Sequence, residues 1–131
     1  MSDDLEQSRV VSEVIISWEV LNMPLEDFLV PGENIRFRSP SKVEYQGDTY
    51  DFCITDRRLI WHKRSGLIFK SDKVITESIG EIEGIKYEEK GMIYKKGVIQ
   101  ITTTRKRLEF SGPKDVMKAI YAELQSYIGS E

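Results

Sequence analysis

A chain of 131 residues, 40% hydrophobic and 31% charged, is the length of one globular domain, and folding at that size hides roughly two-thirds of the unfolded surface. Nineteen bases against 22 acids leave a formal net charge of -3, which excludes uniform electrostatic attraction to nucleic acid. The single cysteine, Cys53, excludes an internal disulfide framework and predicts an intracellular, cytoplasmic protein.

Charge is unevenly spread along the chain. Residues 1–33 hold one base against eight acids, residues 34–73 nine bases against five, and residues 74–131 nine of each. The middle third is therefore locally basic. Asp3, Asp4 and Glu6 stand where a secretory leader would carry bases, and no apolar stretch approaches the ~18 residues of a membrane span, so a soluble chain is expected. No internal repeat or low-complexity tract is evident.

The first expected element is an amphipathic helix within residues 4–22. At about 100° per residue, Val10, Val11, Val14, Ile15, Trp18 and Leu21 share one arc. Pro24 stops it, and Pro31-Gly32 is a turn signal. From residue 34 to 110 the pattern is β-like. Ile35 and Phe37 alternate with Arg36 and Arg38, then Val43 and Tyr45 follow the Ser39-Pro40-Ser41 break. Strands are predicted over 49–54, 59–63, 74–79, 82–88, 98–104 and 107–110, with shorter pieces at 67–70 and 92–94. Pro113 suits the first turn of a closing helix, and Val116, Met117, Ile120, Tyr121, Leu124, Tyr127 and Ile128 recur at helical spacing before Gly129.

Between the second and third apolar runs lies Thr55-Asp56-Arg57-Arg58, a hairpin turn leading into Leu59-Ile60-Trp61. With Leu29-Val30-Pro31-Gly32-Glu33 before it, and the strand over 82–87 and the helix after it, this order resembles a pleckstrin-homology-like domain of the GRAM or bacterial pleckstrin-homology group. The resemblance covers residues 28–128. It implies a mainly β fold with helices: a bent barrel of about seven strands capped by the C-terminal helix. Residues 1–27 would form a separate helical extension, and residues 28–131 the barrel domain. It implies binding of phosphoinositides, proteins or other ligands, although the 39–42 loop offers one lysine where a phosphoinositide site needs a cluster.

Candidate site residues fall in two sets. Lys42, Arg57, Arg58, Lys63 and Arg64 would contact an anion or an anionic lipid head group if the fold gathers them, since guanidinium groups clamp phosphate or carboxylate bidentately. The plain alternative is a solvated turn with salt bridges to Asp51 or Asp56. Val11, Val14, Ile15, Trp18 and Leu21 would form a partner interface, or pack on the barrel. Lys95-Lys96 and Arg105-Lys106-Arg107 are further basic turns, read as solvated or as meeting an anionic membrane. One histidine and one cysteine make no zinc site, and no phosphate-cradling glycine loop or paired carboxylates stand out. The expectation is a non-catalytic binding or scaffold module without cofactor or metal. Its partner would be a protein or a second copy of itself, giving a homo-oligomer, with an anionic membrane surface as the alternative and no nucleic acid.

Overall fold

The protein's structure is a computed structural model that describes residues 25–128. The expected stripe of Val11, Val14, Ile15, Trp18 and Leu21 lies outside the described residues. Contacts divide the chain into residues 1–32 and 33–131. The described part of the first unit is a helical turn, in which the Phe28 amide donates to the Leu25 carbonyl and the Leu29 amide to that of Glu26, each at 3.1 Å.

The second unit is an antiparallel sheet with one helix. Its strands are β1 (Ile35–Arg38), β2 (Val43–Tyr45), β3 (Asp48–Thr55), β4 (Arg58–Ser65), β5 (Ser71–Ser78), β6 (Ile82–Lys90), β7 (Lys96–Thr103) and β8 (Arg107–Pro113), followed by α1 (Lys114–Ile128). A 3-10 turn, Ile79–Glu81, joins β5 to β6. Strand order is β5-β4-β3-β2-β8-β7-β6, with β1 also on β3. β5 and β6 end the path, so the sheet bends without closing.

Eight strands stand where about seven were expected because the first is broken in two. β1 pairs with the end of β3 (Ile35 opposite Thr55, Arg38 opposite Cys53) and β2 with its beginning (Val43 opposite Tyr50, Tyr45 opposite Asp48). Ser39-Pro40-Ser41-Lys42 interrupts them, because proline cannot donate to the ladder. After the break, β2 reaches β8 as well, with Tyr45 opposite Phe110. A two-residue turn, Gln46-Gly47, closes β2 onto β3, and both residues take positive φ (53° and 80°), as a type I′ hairpin demands.

Trp61 centres the core. Its ring lies 4.8 Å from Tyr45, 5.2 Å from Phe52 and 5.2 Å from Phe110, the last edge-on at 86°. The α1 stripe covers this core, with Met117, Ile120 and Leu124 buried and Val116, Tyr121, Tyr127 and Ile128 packed around them. The helix lies on β6, β7 and β8. It approaches β7 so closely that a Cβ on Gly97 would stand 2.5 Å from the Met117 Cβ.

Three local expectations are corrected. Residues 67–70 and 92–94 are the tips of the β4–β5 and β6–β7 hairpins and carry no strand. Their apolar side chains suit a strand, but Gly66 and Gly91, at φ 101° and 118°, turn the backbone out of the ladder. Pro113 ends β8 and stands before the helix, so its missing N–H falls at the last register pair, opposite Lys96.

Candidate anion-binding site

The Thr55–Arg58 turn is held from inside. The Thr55 hydroxyl accepts from the amides of Arg57 and Arg58 at 3.1 and 3.0 Å and donates to Glu33 Oε2 at 2.6 Å. Arg58 grips the same carboxylate through Nε at 2.9 Å and an Nη at 3.0 Å. The Glu33 side chain is fully buried, so this bidentate pair is what makes its charge tolerable there. The carboxylate that holds Arg58 thus lies 25 positions upstream, where the sequence offered Asp51 or Asp56. Asp56 instead ties the turn to Asn34, accepting from its amide at 3.2 Å. Thr103 repeats the device, its hydroxyl accepting from the amides of Arg105 and Lys106.

Lys63 and Arg64 are also engaged. Lys63 Nζ lies 2.6 Å from Asp48 Oδ2, and its hydrogen bond holds that carboxyl below the usual carboxylate range. Asp72 takes His62 Nε2 at 2.8 Å and Arg64 Nε at 3.3 Å, and the histidine contact, then the arginine charge, lowers its carboxyl likewise. Five strand steps separate Arg58 from Lys63, about 17 Å at the usual rise, so the two basic pairs occupy opposite ends of β4. The fold does not gather them into one patch.

Lys42 goes elsewhere. It lines an open depression of about 410 Å³ together with Glu44, Thr49, Tyr94, Lys95, Lys96, Gly112 and Pro113. Sheet register builds it: Glu44 stands opposite Thr49, and Lys96, where β7 begins, reaches Glu44 at 3.1 Å. Lys42 and Lys95 have no ion-pair partner among the described residues. The depression therefore presents one neutralised ammonium, two unneutralised ones and two hydroxyl-bearing side chains. Lysine ammonium groups and hydroxyls are the chemistry that meets an anion by charge and hydrogen bonding.

The tip beside it is apolar. Met92, Ile93 and Tyr94 are 99, 85 and 89% exposed, and at the β4–β5 tip Leu67, Ile68 and Phe69 are 98, 85 and 89% exposed. Six large hydrophobic side chains in two clusters are far from the scattered single residues of an ordinary surface. Sequence reasoning placed these residues in strands and Lys95-Lys96 in a solvated turn. The signal that distinguishes them is the pentad glycine, aliphatic or Met, Ile, aromatic, Lys, written twice as Gly66-Leu67-Ile68-Phe69-Lys70 and Gly91-Met92-Ile93-Tyr94-Lys95.

Cys53 is fully buried, and desolvation pushes its thiol up to about 12, which makes it a poor nucleophile. Among the described residues no three of His, Cys, Asp or Glu stand together as a metal site, and no helix is long and apolar enough to cross a membrane.

No family model matches the chain, and no curated protein matches it. Among solved structures it is similar to the crystal structure of a pleckstrin homology domain from Shewanella amazonensis SB2B, at 15% identity and a TM-score of 0.58, over 82% of this chain and 94% of that one. At that identity the likeness is one of fold. The chain, an open, bent antiparallel sheet with a C-terminal helix over its core, therefore has the pleckstrin-homology-like fold.

Proposed function

We propose that this domain is a non-catalytic binding module that captures a phosphate-bearing partner in the depression walled by Lys42, Lys95 and Lys96. The observation that carries the reading is that one concave site is lined by Lys42 and Lys95, which have no ion-pair partner among the described residues, together with Thr49 and Tyr94. Two net positive charges match a phosphate monoester, which carries about -1.5 to -2 near neutral pH. The Arg57-Arg58 turn, by contrast, has half its charge committed to Glu33. Its Thr55-Asp56-Arg57-Arg58-Leu59 wording supports placing the domain in the GRAM or bacterial pleckstrin-homology subgroup, within the same proposal. Amide-correlation NMR of the full chain, titrated with inorganic phosphate at low salt, tests the site. Shifts concentrated at Thr49 and residues 94–97 are expected, and shifts confined to the Arg57-Arg58 turn would contradict the proposal.

A second reading is self-association or protein docking through the N-terminal segment. Its support is the apolar arc of Val11, Val14, Ile15, Trp18 and Leu21 in the sequence. Light scattering on the native chain and on V14S/I15S/W18S decides it: the native chain should be the heavier species, and equal monomeric masses would rule the reading out.

A further inference from the structure

The face of β6, β7 and β8 that is turned away from the core carries a second hollow. Residues opposite each other on neighbouring strands share a face, so register sets its rows. Gly84, Thr102 and Arg107 make one row, and Lys86, Gln100 and Glu109 the next. The positions between them, Ile85, Ile101 and Leu108, pack on the core side. Where the first row lacks a side chain, the surface sinks into a depression of about 330 Å³ lined by Gly84, Ile85, Lys86, Gln100, Thr102 and Arg107. Six strand steps along β7 separate Thr102 from Lys96, about 20 Å at the usual rise, so this hollow is distinct from the Lys42 depression.

Gly84 makes the hollow, and the fold gives no reason for a glycine there. A glycine inside a strand weakens it. Gly84 does not take a positive φ, unlike Gly66 and Gly91, so the bulge between Ile82 and Gly84 is not the kind that demands glycine. Nor is it packed against a neighbour: among the described residues nothing stands within 4 Å of where its Cβ would be, in contrast to Gly97. The remaining circumstance in which a strand keeps a glycine is the close approach of a ligand or another backbone.

Charge narrows what that ligand is. Lys86 is neutralised by Glu88 at 2.8 Å, while Arg107 has no ion-pair partner among the described residues. None of the lining residues is acidic. The nearest row-mate that is, Glu109, accepts from Gln100 Nε2 at 3.0 Å and lies 3.9 Å from Lys90 Nζ. The hollow therefore offers one unneutralised guanidinium beside the Thr102 hydroxyl. We propose that it binds a small carboxylate, held by the Arg107 fork and the Thr102 hydroxyl, with the ligand lying over the bare backbone at Gly84. A single positive charge balances a carboxylate, whereas a phosphate monoester at about -1.5 to -2 would stay partly unneutralised. Gln100 spends its N–H on Glu109, so its carbonyl oxygen is left to accept from a ligand N–H, which the end of a peptide chain has and a simple acid lacks.

Amide-correlation NMR of the full chain, titrated at low salt with propionate, N-acetylalanine and N-acetylalaninamide, tests the site. Both acids should shift Gly84, Ile85, Gln100 and Thr102, and the amide should not. N-acetylalanine binding at least about threefold tighter than propionate would identify a chain terminus as the source of the carboxylate, and any smaller ratio a free acid. R107A should weaken binding at least about tenfold, and R107K should recover little of it, since an ammonium has no fork. G84V fills the hollow with a strand-favouring side chain and should abolish binding. Both R107A and G84V should keep the native thermal midpoint and the native phosphate response at Thr49 and residues 94–97. Absence of shifts with both acids, equal shifts with the amide, or native binding by R107A or G84V would overturn the site. A midpoint lowered by G84V would give the glycine a structural purpose and overturn the inference drawn from it. Phosphate shifting the same residues as the acids would overturn the choice of carboxylate.

Discussion

At Thr55 one hydroxyl closes a turn, orients a buried carboxylate and leaves the arginine two positions past the next residue to neutralise it. That is why the Thr-Asp-Arg-Arg run reads as a fold signature while contributing little free charge. Removing the cation exposes the point. R58A leaves the Glu33 carboxylate buried without its guanidinium and should cost about 2–3 kcal/mol in urea denaturation. R58K should recover only part, since an ammonium cannot grip both oxygens. The exposed K42A and K95A changes should each stay within about 0.5 kcal/mol of the native chain. Equal midpoints for R58A and the native chain would show that the turn does not depend on the pair.

Elements were legible wherever burial and periodicity agreed. Every apolar position of the α1 stripe packs on the core, because helical spacing against one buried face leaves a pattern that the sequence states directly. Gly97 shows how tight that packing is: G97A would place its Cβ 2.5 Å from the Met117 Cβ and 3.0 Å from Tyr87 Cε2. Pushing the helix off β7 should cost about 1–3 kcal/mol, read as a lower thermal midpoint, and an unchanged midpoint would mean that the helix is free to shift. The tips were misread for the opposite reason. An apolar run such as Leu67-Ile68-Phe69 carries strand preference whether it faces a core or water, and nothing local distinguishes the two. Arg58 and Lys42 were hard to place because their neighbours come from far away in sequence, Glu33 across 25 positions and Lys95 from another hairpin. Residue type could nominate Lys42 but only sheet register could give it company.

Among the described residues, the basic side chains divide into those paired with carboxylates and those without such a partner. Arg58, Lys63, Arg64 and Lys96 are held by carboxylates, whereas Lys42 and Lys95, without an ion-pair partner among the described residues, line a depression beside an apolar tip. In the proposed function the Thr55–Arg58 turn has a structural role and binding lies within the sheet, at the depression where β2, the end of β8, the start of β7 and the second tip meet. Phosphate affinity measured by NMR on the native chain, R57A and K42A/K95A tests that assignment most directly. R57A should bind within about twofold of the native chain, and K42A/K95A should lose about three- to tenfold. The reverse order, with R57A the weaker binder, would return the site to the turn and contradict the account.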